Sequence, residues 1–200
     1  MKKETLELCK IAAFITKDNL LKTEECIINY KISRLNPSKL YETILQTYLF
    51  CGFPVVIESL KLFKKHFKNF NISYHKYNLN KYSRSGESNC KLIYKSNYKK
   101  LISNIAFVSP ELKKWMIIEG YGKILGRKAL ALECRELINV SILTTRYFES
   151  QLHSHIKGCL NLNIGNKEIL MMLKYIKPVA GKVNFQRAVY LLNKIEKNKQ

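Results

Sequence analysis

An all-α fold, built as a helical bundle with two related segments, is predicted by three features of the sequence. Apolar side chains recur at three- and four-residue steps, Asn-Pro and Gly-Phe-Pro punctuate the pattern, and the two ends resemble each other at a spacing of 129 residues. With 200 residues and 46% apolar content, the chain can bury one sizeable core or two small ones, so disorder is not the default.

The elements follow in chain order. Leu6, Cys9 and Ala13, then Cys26, Ile27 and Tyr30, give the helical period from Lys3 to Phe70. Asn36 before Pro37 reads as an N-cap with proline in the first turn, opening a helix through Leu40, Ile44, Leu45 and Tyr48. Cys51-Gly52-Phe53-Pro54 stops that helix and starts another, Val55 to Phe67, because glycine permits a positive φ and proline fixes the next first turn. From about Asn69 to Lys91 the chain is crowded with Asn, Ser, Tyr and Lys without a sustained period, which predicts a long connection. After Ser109-Pro110 the helical pattern returns through Leu112, Trp115, Met116 and Ile118, and glycines 120, 122 and 126 are expected to break it. Helices are then expected from Ala131 to Thr145, Gln151 to Asn163, Lys167 to Lys177 and Lys182 to Lys197. This divides the chain into an N-terminal segment over residues 1–68, a connection over 69–91 and a C-terminal segment over 92–200.

Laid over itself with a shift of 129, the sequence matches Glu7-Leu8 to Glu136-Leu137, Asn36-Pro37 to Gly165-Asn166, Gly52 to Gly181 and Leu62 to Leu191. The identities are few, but each falls at the same place in the helical punctuation.

Charge and cysteine usage narrow the partners. The net charge is +20, yet of 35 basic residues only Arg34, Arg84, Arg127, Arg135, Arg146 and Arg187 are arginine, the residue on which base readout and bidentate phosphate recognition lean. Scattered lysine reads as a solvated surface, so no specific nucleic-acid partner is expected. Cys9, Cys26, Cys51, Cys90, Cys134 and Cys159 lie far apart with no CxxC and no zinc-ligand spacing, so neither metal nor cofactor is expected. The first residues read as a helix carrying Glu4 and Glu7, and no apolar run approaches the roughly 18 residues that span a bilayer. A cytoplasmic protein with free thiols and no membrane partner is the economical reading.

Candidate chemistry centres on Glu136 and His155. Glu136 begins one amphipathic helix, and His155 lies in the next beside Leu152 and Cys159. An antiparallel hairpin turning near Arg146 would bring the imidazole against the carboxylate, which orients the ring and favours its charged form. The bland alternative is a satisfied core histidine and a glutamate bonded to a neighbour. His153 faces elsewhere on the helix, and His66 and His75 carry no partner signal.

The string from Gln151 to Asn161, QLHSHIKGCLN, resembles the QLxxHixGaLN block of the carboxymuconolactone decarboxylase family, part of the alkylhydroperoxidase D-like superfamily. Its flanks are similar too: the glycine-bearing stretch from Glu119 to Leu130, Arg135-Glu136-Leu137-Ile138 for RELI, and Gly165 to Ile169 for GxxxEI. Glu42 to Pro54 resembles the family's EvilQxxxyaGfP ending. The resemblance implies an alkylhydroperoxidase D-like bundle, and either decarboxylation of a carboxymuconolactone or thiol-based peroxide reduction. It implies His155 as proton donor, oriented by Glu136, with Arg135 or Arg127 holding a carboxylate of a small-molecule substrate. The dithiol positions of the peroxidase branch are Phe148 and Gln151 here, which leaves Cys159 and Cys134 as possible redox thiols. Cys26 stands where the 129 shift would place His155, and Lys177 to Val183 stands where the family writes YxGfP. The first segment is therefore expected to be structural. Self-association into a homotrimer is expected, a dimer being the alternative, and a non-catalytic assembly protein on the same fold stays open.

Overall fold

The computed structural model describes residues 1–74 and 76–197, and within these every regular element is helical. Helices α1 (Lys3–Thr16), α2 (Leu20–Ile32) and α3 (Pro37–His66) form the N-terminal part. Next come α4 (Leu79–Tyr94), a short 3₁₀ turn, α5 (Tyr98–Val108), α6 (Pro110–Trp115) and a π-helical stretch, Met116–Ile124. The C-terminal part is α7 (Leu132–Arg146), α8 (Glu149–Asn161), α9 (Asn166–Ala180) and α10 (Lys182–Lys197).

The expected punctuation appears where local chemistry demands it. Asn36 accepts from the Ser38 N–H with Pro37 in the first turn, and Gly52 interrupts α3 at φ 76°. The shift of 129 carries α2 onto α8 and the first part of α3 onto α9 at the same bounds. It also carries the positive-φ residues Asp18, Arg34 and Gly52 onto Tyr147, Asn163 and Gly181, so the same turns recur. α1 and α7 lie against each other at the centre, and one core joins both parts: Leu8, Ile11, Ile27 and Ile44 pack with Ile138, Ile142, Leu152 and Ile169.

Helix α3 is long and apolar enough by length and composition to cross a membrane, which the sequence reading did not anticipate. In the fold it is interrupted at Gly52, gives Leu40, Ile44, Val56 and Phe63 to the core, and buries Glu42 and Gln46.

Two further expectations are corrected. Most of the supposed connection over 69–91 is helix α4, opened by Asn78, whose side chain accepts from the Lys81 N–H. Nor do all the glycines of 120–126 end a helix: Gly120 and Gly122 lie inside the π-helical stretch, where Leu125 N–H bonds Gly120 O at 2.9 Å. The two surprises have one cause. A Cβ on Gly86 would lie 2.0 Å from Ile117 O, and one on Gly122 would lie 2.0 Å from Tyr82 O, so α4 and the π-helical stretch meet backbone to backbone. Cys90, Ile93, Tyr94, Ile117, Tyr121 and Ile124 close a second, smaller core along that contact.

Candidate active site

Helix α7 carries Glu136 and α8 carries His155, and the left-handed Tyr147 (φ 56°) turns the chain between them. The hairpin brings the two side chains together as the sequence reading anticipated: His155 Nδ1 lies 2.7 Å from Glu136 Oε2. Carboxylate oxygens only accept, so Nδ1 carries the hydrogen and donates it. Glu136 is fully buried, while the His155 ring is 12% exposed. No described group bonds its Nε2, and that nitrogen is not sealed from solvent.

Three features outside the pair fix it. Asn139, one turn beyond Glu136, donates from Nδ2 to Glu136 Oε1 at 2.9 Å. Gly158 lets α8 approach, since a Cβ there would lie 2.8 Å from Glu136 Oε2 and 2.7 Å from Ile93 Cγ2. Helix α4 closes the other side: Asn161 Nδ2 donates to Ile93 O at 2.8 Å, and Tyr94 sets its ring edge-on to His155, centroids 6.4 Å apart. The Tyr94 and Tyr121 hydroxyls bond each other at 2.7 Å, and burial, then the Glu136 charge, raises the Tyr94 pKa. Burial, and again Glu136, pushes the Cys90 thiol up to about 12. The carboxylate thus sits in a dry, neutral wall, and His155 is its cationic partner when protonated.

Beside this wall a cleft of about 230 Å³ opens between α5 and α8, lined by Tyr94, Leu101, His153, Ser154 and Asn161, with Lys100 and Lys157 as its cations. His153 belongs to that lining rather than to the pair with Glu136. Burial, with Lys157 and Lys194 nearby, lowers its pKa below the ordinary value of 6.5, which favours the uncharged ring.

Arg135 and Arg127, expected at a substrate carboxylate, are turned to Glu42 instead. Arg135 is fully buried, bonding Glu42 Oε2 from Nη2 at 2.9 Å and Gln46 Oε1 from Nη1 at 3.1 Å. It cannot reach a small molecule. Arg127 bonds both Glu42 oxygens at 2.8 Å. Gln46 Nε2 in turn donates to Asn139 Oδ1 at 2.7 Å, so one hydrogen-bonded chain runs from Arg127 through Glu42, Arg135, Gln46, Asn139 and Glu136 to His155. Glu42 and Gln46 sit 85 to 93 residues before their partners in sequence, and no local period reports such a pairing. Asn139, three residues after Glu136, carried a readable helical-neighbour signal.

The thiols are poorly placed for redox work. Cys159 is fully enclosed and burial raises its pKa well above the ordinary value; burial also raises that of Cys134. All six cysteines are unpaired. Among the described residues no three His, Cys, Asp or Glu side chains gather as a metal site. His66 Nε2 lies 2.7 Å from Glu24 Oε1, a partner the sequence did not signal, and His75 lies outside the described residues. In the first part, Cys26 stands at the place of His155, and Glu7 accepts from the Tyr175 hydroxyl instead.

No family model matches the chain, and no curated protein matches it.

Proposed function

We propose that the chain is a proton-transfer enzyme of the carboxymuconolactone decarboxylase kind, acting on a small carboxylated lactone or related acid. The observation that carries this reading is the 2.7 Å contact between His155 and buried Glu136, with Nε2 unbonded and with His155 next to Ser154 and edge-on to Tyr94, both of which line a cleft that also carries Lys100 and Lys157. A buried carboxylate accepting from Nδ1 fixes the tautomer and orientation of the imidazole and leaves Nε2 as the nitrogen that exchanges a proton with a substrate.

Decarboxylation breaks the bond to the departing carboxylate and leaves its electron pair on carbon, where the substrate's own lactone carbonyl delocalises it. His155 Nε2–H delivers the proton that completes the product, and the neutral imidazole is recharged from water. Lys157 and Lys100 take the role first read into Arg127 and Arg135, holding the anion as point charges. A thiol peroxidase reading is disfavoured by the burial that holds Cys159 and Cys134 protonated.

The alkylhydroperoxidase D-like arrangement and self-association belong to the same proposal. Helices α5 and α6 bury none of their residues and expose Phe107, Val108, Leu112 and Trp115, a face suited to copies of the chain meeting as a trimer, or failing that a dimer. Light scattering of the parent and of Phe107→Lys/Trp115→Lys measures it; an unchanged mass removes that face from the interface.

The test of activity is carbon dioxide release from a carboxymuconolactone. His155→Gln and Glu136→Gln should each lower kcat by about 100-fold or more, the span of a lost general acid, while circular dichroism stays helical. Lys157→Met should act on KM. Parent-like rates in folded His155→Gln and Glu136→Gln end the proposal.

A further inference from the structure

A second and larger cleft, of about 790 Å³, opens between the start of α4 and the Gly122–Ala129 stretch and shares no lining residue with the cleft between α5 and α8. Its volume falls within the roughly 300–1,000 Å³ of small-molecule sites. Its charges do not cancel. Lys76, Lys81 and Lys128 line it, and no described carboxylate pairs with any of them. Glu42 at the floor serves Arg127 and Arg135 together, so that trio keeps one positive charge. Lys123 is balanced by Glu119 at 2.6 Å.

The neutral features point the same way. The positive end of the sixteen-residue helix α4 opens into the cleft through Asn78, Lys81 and Tyr82. Tyr77 and Tyr82 stand edge to face there, centroids 5.2 Å apart, with Tyr77 half exposed. The Tyr77 hydroxyl is tied to Glu119, which steadies its ring as an apolar surface. Several uncompensated cations repel one another in a concavity, and a bound anion relieves that repulsion.

We infer that this cleft is a binding site for a small organic phosphate, its phosphate among Lys76, Lys81, Lys128 and Arg127 and its planar body against Tyr77 and Tyr82. The site does not depend on the decarboxylase reading. Scattered surface lysines bind polyanions weakly and without a fixed place, whereas this arrangement takes one ligand per chain and prefers a phosphate ester to bare phosphate.

The test is calorimetric titration of the full chain with adenosine 5′-monophosphate and with inorganic phosphate at about 0.15 M salt. The parent should bind one equivalent of the nucleotide, more tightly than phosphate. Lys81→Glu/Lys128→Glu should weaken that binding about tenfold or more, the range for lost hydrogen bonds to charged groups. Lys167→Glu/Lys174→Glu, two exposed lysines on α9 with the same change in net charge, should leave it unchanged. Thermal melts check that both variants fold. Absence of saturable binding, equal affinity for nucleotide and phosphate, or the same loss in both variants overturns the inference.

Discussion

Replacing Glu42 by Gln tests what the two arginines are for. Glu42 is 6% exposed, and it is the only described carboxylate bonded to Arg135, which has no exposed surface at all. Glutamine keeps the shape and removes the charge. Arg135 is then left as a sealed cation facing Gln46 Oε1 and Arg127 O, with the Arg127 guanidinium beside it and its own Nε already without a described partner. Breaking a buried pair from one side costs about 3–5 kcal/mol. At about 2–4 °C per kcal/mol for a chain of this size, the melting temperature should fall by about 6–20 °C. Glu42→Leu/Arg135→Met removes anion and cation together, while Arg127, 22% exposed, turns to water; it should recover at least half of the loss. Thermal melts followed by circular dichroism read all three proteins. A Glu42→Gln variant melting within about 2 °C of the parent would refute the argument, because so small a change is that of a surface substitution.

Other substitutions probe the backbone contact, the carboxylate, the thiols and the acid limb. Gly86→Ala or Gly122→Ala forces a Cβ within 2.0 Å of a carbonyl oxygen, whereas Gly120→Ala meets nothing within 4 Å. Urea melts should show losses of about 3 kcal/mol or more for the first two and almost none for the third. Gly158→Ala pushes on Glu136 Oε2 and should lower the rate of the proposed decarboxylation by about tenfold, the scale expected when a proton-transfer geometry slips; an unchanged rate would mean that the carboxylate need not be held there. Cys9 and Cys159 are fully enclosed, with pKa values raised well above the ordinary thiol value by burial, so a disulfide reagent at mildly alkaline pH should label them only after denaturant is added. Burial works to raise the Glu4 pKa, but the Lys39 ion pair and the bonds from Asn36 N–H and Tyr30 Oη outweigh it and lower the net value. The stability Glu4 supplies is therefore present above its ordinary value of 4.5 and lost as pH falls through the depressed folded value. The gap in melting temperature between the parent and Glu4→Gln should close on acidification over that window.

What the sequence disclosed and what it hid divide by range. A cap or a turn is decided within about four residues, which is why Asn36-Pro37, Gly52 and Gly181 could be read directly and why the helix bounds recur at a spacing of 129. The Glu136–His155 pair was legible for the same reason, because a hairpin between adjacent helices leaves little freedom for two residues on facing sides of its turn. Helix α4 was hidden because its inward face is Tyr82, Gly86, Cys90 and Ile93, and a glycine that admits a neighbouring backbone looks, in sequence alone, like one that breaks a helix. The arginines were misread because their partner, Glu42, is set by how α3 crosses α7, at 85 and 93 residues' remove.

The repeat sharpens the same distinction. At the shift of 129, Glu42 corresponds to Met171 and Gln46 to Tyr175, so the two parts share their turns but not their polar chemistry. Yet the corresponding residues still reach across in the same sense: Gln46 of α3 bonds the α7 Asn139, and Tyr175 of α9 bonds the α1 Glu7. The packing of each third helix on the opposite central helix is therefore preserved even where the residue types differ. In the first part a tyrosine hydroxyl bonds the glutamate and Cys26 stands where the imidazole would, so Glu7 has no imidazole partner on α2. The asymmetry gives the functional proposal its place. The same helical frame places a glutamate twice, half-buried at Glu7 and fully buried at Glu136, and only at Glu136 does the following helix supply a histidine, which is the pairing that the proposed acid–base chemistry requires.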